Sequence, residues 1–279
     1  MTEIRKVPAT DGAEWLLGGF ALLRAAPLGL GLLGALWGAV AAIASLSGSV
    51  AVNLLMTLLG PILFAGMIHA AREVDHGRAA QPVHLLQGVK QGRVPALLAM
   101  LLPQIAALVL LAILLIAMLG GEQLQHIAQV MEQMQTDSNP ALAQSLPTGR
   151  LFAWLLIALA VGIFAGFFTF VAVPEILFRD RGAIDAMRLS LRACLRNFTA
   201  LIVMVVLLLI ALFALSLLIS LVTALISLAT GPRAAQLVGQ LVMFAIVLPV
   251  TGGMVYHAWR RMLGDGALPP ATPVGGIEA

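Results

Sequence analysis

Charged residues are only 10% of this 279-residue chain, against about 25% in a soluble domain. So few charges cannot cover a water-facing surface. Cysteine is nearly absent: the single Cys194 excludes an internal disulfide framework. There is no P-loop, no Gly-x-Ser-x-Gly elbow and no His-Glu-x-x-His, so no enzyme class can be read from a motif. No basic tract is interleaved with aromatics, so the net charge of +3 does not point to a nucleic-acid partner. No secretory signal opens the chain: Glu14 and Arg24 interrupt its first apolar block, and no small-residue cleavage site follows.

What is abundant is apolar sequence, 61% of the chain, gathered in long blocks. A transmembrane helix needs roughly 20 mostly apolar residues. Six uncharged blocks qualify, at about 27–46, 50–71, 95–119, 151–174, 199–229 and 237–259. The fold class is therefore all-α, a six-span polytopic membrane protein. Residues 1–12 form an N-terminal tail, 13–263 the membrane domain and 264–279 a C-terminal tail, with an external segment at 120–150.

Basic residues set the expected orientation, because cytoplasmic loops keep an excess of Lys and Arg. Of 16 such residues, fourteen fall in the segments before span one, between spans two and three, between four and five, and after span six; only Arg150 and Arg233 fall on the other side. The expected topology is N-in and C-in, in a bacterial inner membrane. The external stretch Glu122–Gln135 is itself amphipathic through Leu124, Ile127, Met131 and Met134.

The connecting segments suggest a threefold repeat of an interfacial helix followed by a hairpin. Spans two and six echo each other: Pro61 precedes His69 by eight residues, as Pro249 precedes His257. In residues 183–198, Ile184, Met187, Leu191, Leu195 and Phe198 share one helical face, and Arg188, Arg192 and Arg196 share another. That is the pattern of a basic amphipathic helix in the headgroup layer. These three arginines are the candidate lipid-headgroup contacts, and anionic membrane lipids the expected partners.

Several further features carry candidate chemistry. Pro61, Pro103, Pro174 and Pro249 lie in or at the ends of four spans, and proline kinks a helix. Asn53, Gln104 and Thr251 are deep polar groups and make a candidate polar pathway. The middle of every span lacks a charge, which argues against a proton- or sodium-coupled pump. His69, Glu73 and His76 share a helical face, a metal-ligand spacing at a span end where polar residues are expected in any case. No metal or cofactor is assigned. Gly34 with Gly38, Ala158 with Gly162 and Gly166, and Ser216 with Ser220 and Ala224 are small-residue faces. Such faces pack helices within one bundle or make a homo-oligomer seam.

The pattern Val7-Pro8-Ala9, Gly12, Trp15, Pro27, Pro61, Gly66, Gly77, Ala186, Ser190, Ala193 and Asn197 resembles poorly characterised bacterial six-span inner-membrane proteins. These are akin to YciC-like proteins and to the membrane domain attached to some glycerophosphodiester phosphodiesterases. The resemblance implies a helical bundle with cytoplasmic interfacial helices. It carries no phosphodiesterase chemistry, which belongs to a separate soluble barrel that this chain does not contain. The expected function is non-enzymatic, handling lipid or another amphiphile or supporting envelope integrity. The alternatives are a small-solute transporter or channel using kinked spans two and six, and a membrane-embedded enzyme.

Overall fold

In the computed structural model, residues 3–136 and 145–264 are described, and all regular structure among them is helical. Six of the helices are long and apolar enough to cross a membrane. The first span is Pro27–Leu46, the second Val50–Asp75, the fifth Phe198–Thr230 and the sixth Pro232–Leu263. The third lies in Leu102–Thr136, and the fourth in Thr148–Thr169 with a continuation, Ala172–Arg179. The expected C-terminal tail from residue 265 on lies outside the described residues.

The third span ends near the expected boundary for a local reason. Leu102–Thr136 is two helices joined at Gly120, whose φ of 74° and ψ of 164° are not helical. A side chain resists that conformation and glycine does not. The chain then runs on as the helix expected over the external segment. Arg150 reaches back to Gln123 at 3.0 Å and ties that helix to the start of span four.

Two prolines break helices one turn before themselves. A proline ring clashes with the carbonyl four residues earlier and offers it no N–H. For Pro174 that carbonyl belongs to Phe170, and span four breaks at Phe170 and Val171. For Pro103 it belongs to Ala99, where the path into span three narrows to a 3₁₀ turn, Ala99–Leu101. Pro61 and Pro249 instead sit inside continuous helices.

A shorter helical segment precedes each hairpin. Asp11–Ala25 and Ala183–Arg196 are single helices, whereas the middle segment is broken into Pro82–Leu86, Gln87–Lys90 and Val94–Leu98. Span six is the hub of the bundle and packs on the leading helix Asp11–Ala25 and on spans one, two and five. Glycine allows the closest approaches. A methyl on Gly34 would collide with the carbonyl of Phe244, and one on Gly19 with that of Val250. The Gly34–Gly38 face is thus used inside the chain, whereas a methyl on Gly162 or Gly166 would meet open space.

Spans three and four behave differently. They pack on each other along their length, but neither packs along its length on spans one, two, five or six. Trp154 Nε1 donates to the carbonyl of Leu111 across the pair, at 3.2 Å. The hairpin joins the other spans through Val94–Leu98, Ala172–Arg179 and Ala183–Arg196. All three segments lie at the end of the bundle where most Lys and Arg gather, the basic end. The largest fully buried side chains concentrate there too, among them Trp15, Tyr256, Met67, Ile176 and Met262.

Candidate functional site

The splay of the third–fourth hairpin leaves a central cavity of about 540 Å³. All six spans contribute to its wall, through residues such as Trp37, Phe64, Gln104, Thr169, Met204 and Met254. Both helix breaks contribute as well, supplying Met100 and Leu101 from one and Phe170 from the other. Gln104, Thr169 and Thr251 are the only amide or hydroxyl side chains among its described lining residues, Trp37 adds an indole N–H, and none of the lining residues is charged.

These three polar groups are unequally satisfied. Thr251 returns its hydroxyl to its own helix, at the carbonyls of Val247 (2.8 Å) and Leu248 (3.0 Å). Gln104 Nε2 donates to Thr169 Oγ1 at 3.3 Å, and that hydroxyl donates to the carbonyl of Gly166 at 3.2 Å. Gln104 Oε1 is buried and has no hydrogen-bond partner. The wall is therefore apolar, suited to a hydrocarbon chain or an amphiphile.

The basic end is closed by a buried polar cluster. Glu175 is fully buried, and its carboxylate accepts from Trp259 Nε1 at 2.7 Å and Arg181 Nε at 2.9 Å. Arg179 lies 3.3 Å from the same carboxylate and donates to the carbonyl of Leu263 at 2.6 Å. A buried carboxylate persists only when it is paired and hydrogen-bonded, and this one is. Tyr256 donates to Asp75 at 2.9 Å, Arg260 pairs with the same Asp75, and Arg93 pairs with Asp180. The Arg72 guanidinium rests 4.5 Å from the ring centre of Phe178. Many basic residues counted above as topology signals thus also tie helices together.

Two further buried polar residues hold the backbone. Ser190 Oγ accepts from Val171 N–H at 3.1 Å and donates to the carbonyl of Phe167 at 2.7 Å. It bridges the break in span four that Pro174 creates. Asn197 accepts from Val7 N–H at 2.8 Å and donates to the carbonyl of Arg5 at 2.9 Å. It clamps the N-terminal segment beside the end of span six, where Arg5 N–H donates to the carbonyl of Met262 at 2.9 Å.

A second recess, of about 500 Å³, lies on another side of the third–fourth hairpin and has Arg188 in its wall. Arg188, Arg192 and Arg196 are all exposed. The apolar stripe on their helix needs correction. Ala183–Arg196 turns Ala186, Met187, Ser190, Ala193 and Cys194 to the core. Of the bulky stripe, Ile184, Leu195 and Phe198 stay exposed. Small residues let this helix lie close to the break in span four, so the packed face is the small one.

Other sequence candidates do not assemble. Glu73 is engaged by Arg78, whose NH2 donates at 2.7 Å, and lies 3.9 Å from His69. His76 turns its ring nitrogen to the carbonyl of Arg72 at 2.7 Å. Among the described residues no group of three His, Cys, Asp or Glu is placed to hold a metal. The candidate polar pathway is assembled only in part. Gln104 and Thr251 share the central cavity, but Asn53 is exposed and gives its amide to the carbonyl of Ser49 at 3.0 Å. Pro61 lines the cavity and Pro249 does not.

Sequence reasoning missed the Glu175–Trp259 pairing, which joins residues 84 apart in the chain. The available signal was a carboxylate directly after Pro174 at a span end. No curated protein matches the chain, and no solved structure does. One family model matches residues 20–262, most of the chain, and by that match the protein belongs to the family described as a domain of unknown function, DUF7847.

Proposed function

We propose that this protein is a non-enzymatic, multi-pass protein of the bacterial inner membrane that holds a membrane lipid or similar amphiphile in its central cavity. Both termini lie in the cytoplasm, on the strength of the basic-residue asymmetry. The observation that carries the reading is the cavity wall: six spans, about 540 Å³, no charge and few polar groups. Ligand sites are typically concave, mostly apolar and roughly 300–1,000 Å³, with a few polar groups that fix orientation. A route for small solutes would need polar groups leading on toward Asn53, which is not among the residues lining the cavity.

Photo-crosslinking tests this in membranes. A phospholipid with a diazirine near the end of one acyl chain is expected to label the cavity-lining segments around Phe64, Gln104 and Met204. The Gly166→Phe variant provides the control. Gly166 lines the cavity, and a side chain there meets open space. That variant should fold and lose the adducts. Labelling confined to the outer faces of spans three and five, unchanged by the substitution, would contradict the reading.

A further inference from the structure

The second recess runs down the third–fourth hairpin. Leu102, Leu110, Phe164 and Phe168 are among its walls, and Met187 and Arg188 belong to the helix at its basic end. Leu102 and Leu110 are eight residues apart, so the groove extends about 12 Å along the span. Its flanks are open: Leu102, Leu110, Phe164 and Ile184 are all exposed. In a membrane-spanning hairpin such flanks face lipid tails.

The charge at its mouth is only weakly committed to acidic partners. Arg78, Arg93, Arg179, Arg181, Arg260 and Arg261 are each committed to an acidic side chain. Arg188 meets only Asp185, at 3.9 Å with both side chains about 70% exposed, and such surface pairs contribute little. Arg192, one turn along the same face, makes no ion pair among the described residues. An apolar groove of acyl-chain shape thus ends at Arg188, with the guanidinium of Arg192 one turn further along the same helix. Guanidinium is well matched to phosphate, which it can bind through two parallel hydrogen bonds.

We propose that this groove seats an acyl chain of an anionic phospholipid whose phosphate is held by Arg188 and Arg192. The site is separate from the central cavity and holds whether or not that cavity takes a ligand. It commits to a lipid and not a free anion, because every other lining residue is apolar.

Native mass spectrometry of the full chain, delipidated and reloaded, tests the assignment. The probes are phosphatidylglycerol and phosphatidylcholine with identical acyl chains. The native chain and Gly166→Phe, with its central cavity filled, should both prefer phosphatidylglycerol. Each cation near an anionic headgroup contributes about fivefold, so the preference should fall by roughly 30-fold in the Arg188→Gln, Arg192→Gln double variant. Lysine at both positions should restore most of it. Should the Gln variant fail to insert, Ala106→Phe decides: it fills the groove wall, leaves the arginines in place, and should lose both lipids from this site. Soluble glycerophosphate should not displace the lipid. An unchanged preference in the Gln variant, loss of preference in Gly166→Phe, or displacement by glycerophosphate would overturn the proposal. So would an Ala106→Phe variant that keeps both lipids, or one that instead dissociates a dimer.

Discussion

Glu175 shows how one residue can decide the structure of a whole end of the molecule. Its carboxylate gathers Trp259, Arg181 and Arg179, so it joins span six to the continuation of span four. Replacing Trp259 with Phe keeps an aromatic ring but deletes one donor to a buried charge, along with part of the buried ring surface. Hydrogen bonds to charged groups are worth about 1.5–3 kcal/mol, and a loss of that size is expected in denaturant or SDS unfolding of the purified protein. His84 gives a pH dependence. Burial pushes its imidazole below the ordinary value of 6.5, Glu73 opposes that, and Lys90 adds to it. Its Nδ1 accepts from Gln81 N–H at 3.2 Å, and protonation would remove that acceptor. With the folded pKa depressed, the neutral ring's contribution is intact above about 6.5 and is lost as pH falls below it. A His84→Gln variant should flatten the stability profile below about pH 6.5. The Trp259–Glu175 pairing was not legible in the sequence. It joins groups on separate elements, 84 residues apart, and nothing local marks which donor a given carboxylate will meet.

At the scale of elements much more was legible, because length and hydropathy are local properties. The six spans appear where uncharged blocks of about 20 residues stand. The breaks were only half legible. Proline marked the right helices, but the disruption falls at the carbonyl four residues earlier, at Phe170 and at Ala99. Ser190 was visible only as one member of a small-residue pattern, yet it satisfies both backbone groups at the first break. Ser190→Ala should cost roughly 2–4 kcal/mol, since it leaves Val171 N–H and the Phe167 carbonyl without partners. Pro174→Ala lets the helix continue through that point. The double variant should therefore be less destabilised than the sum of the two single changes, a coupling that a double-mutant cycle on unfolding free energies measures directly. Strict additivity would mean that the serine and the proline act independently.

For the whole molecule, composition said that the chain lives in lipid but not how its hairpins are disposed. A residue that faces lipid and one that faces another apolar helix are chemically alike, so no periodicity could announce that spans three and four stand apart from the rest. That arrangement produces both recesses. The proposed orientation predicts that a phosphatase fused after Gln135 is active outside the cytoplasm, and that fusions after Arg188 or Gly264 are inactive; activity at Gly264 would mean an odd number of spans and contradict the topology. The central claim is that the gap beside the third–fourth hairpin is a lipid site, and a density map of the chain in lipid nanodiscs tests it most directly. The account predicts elongated density between that hairpin and span two, beside Gln104 and Thr169, present in the native chain and absent from Gly166→Phe. A map in which the hairpin closes against the other spans, leaving no space there, would contradict it.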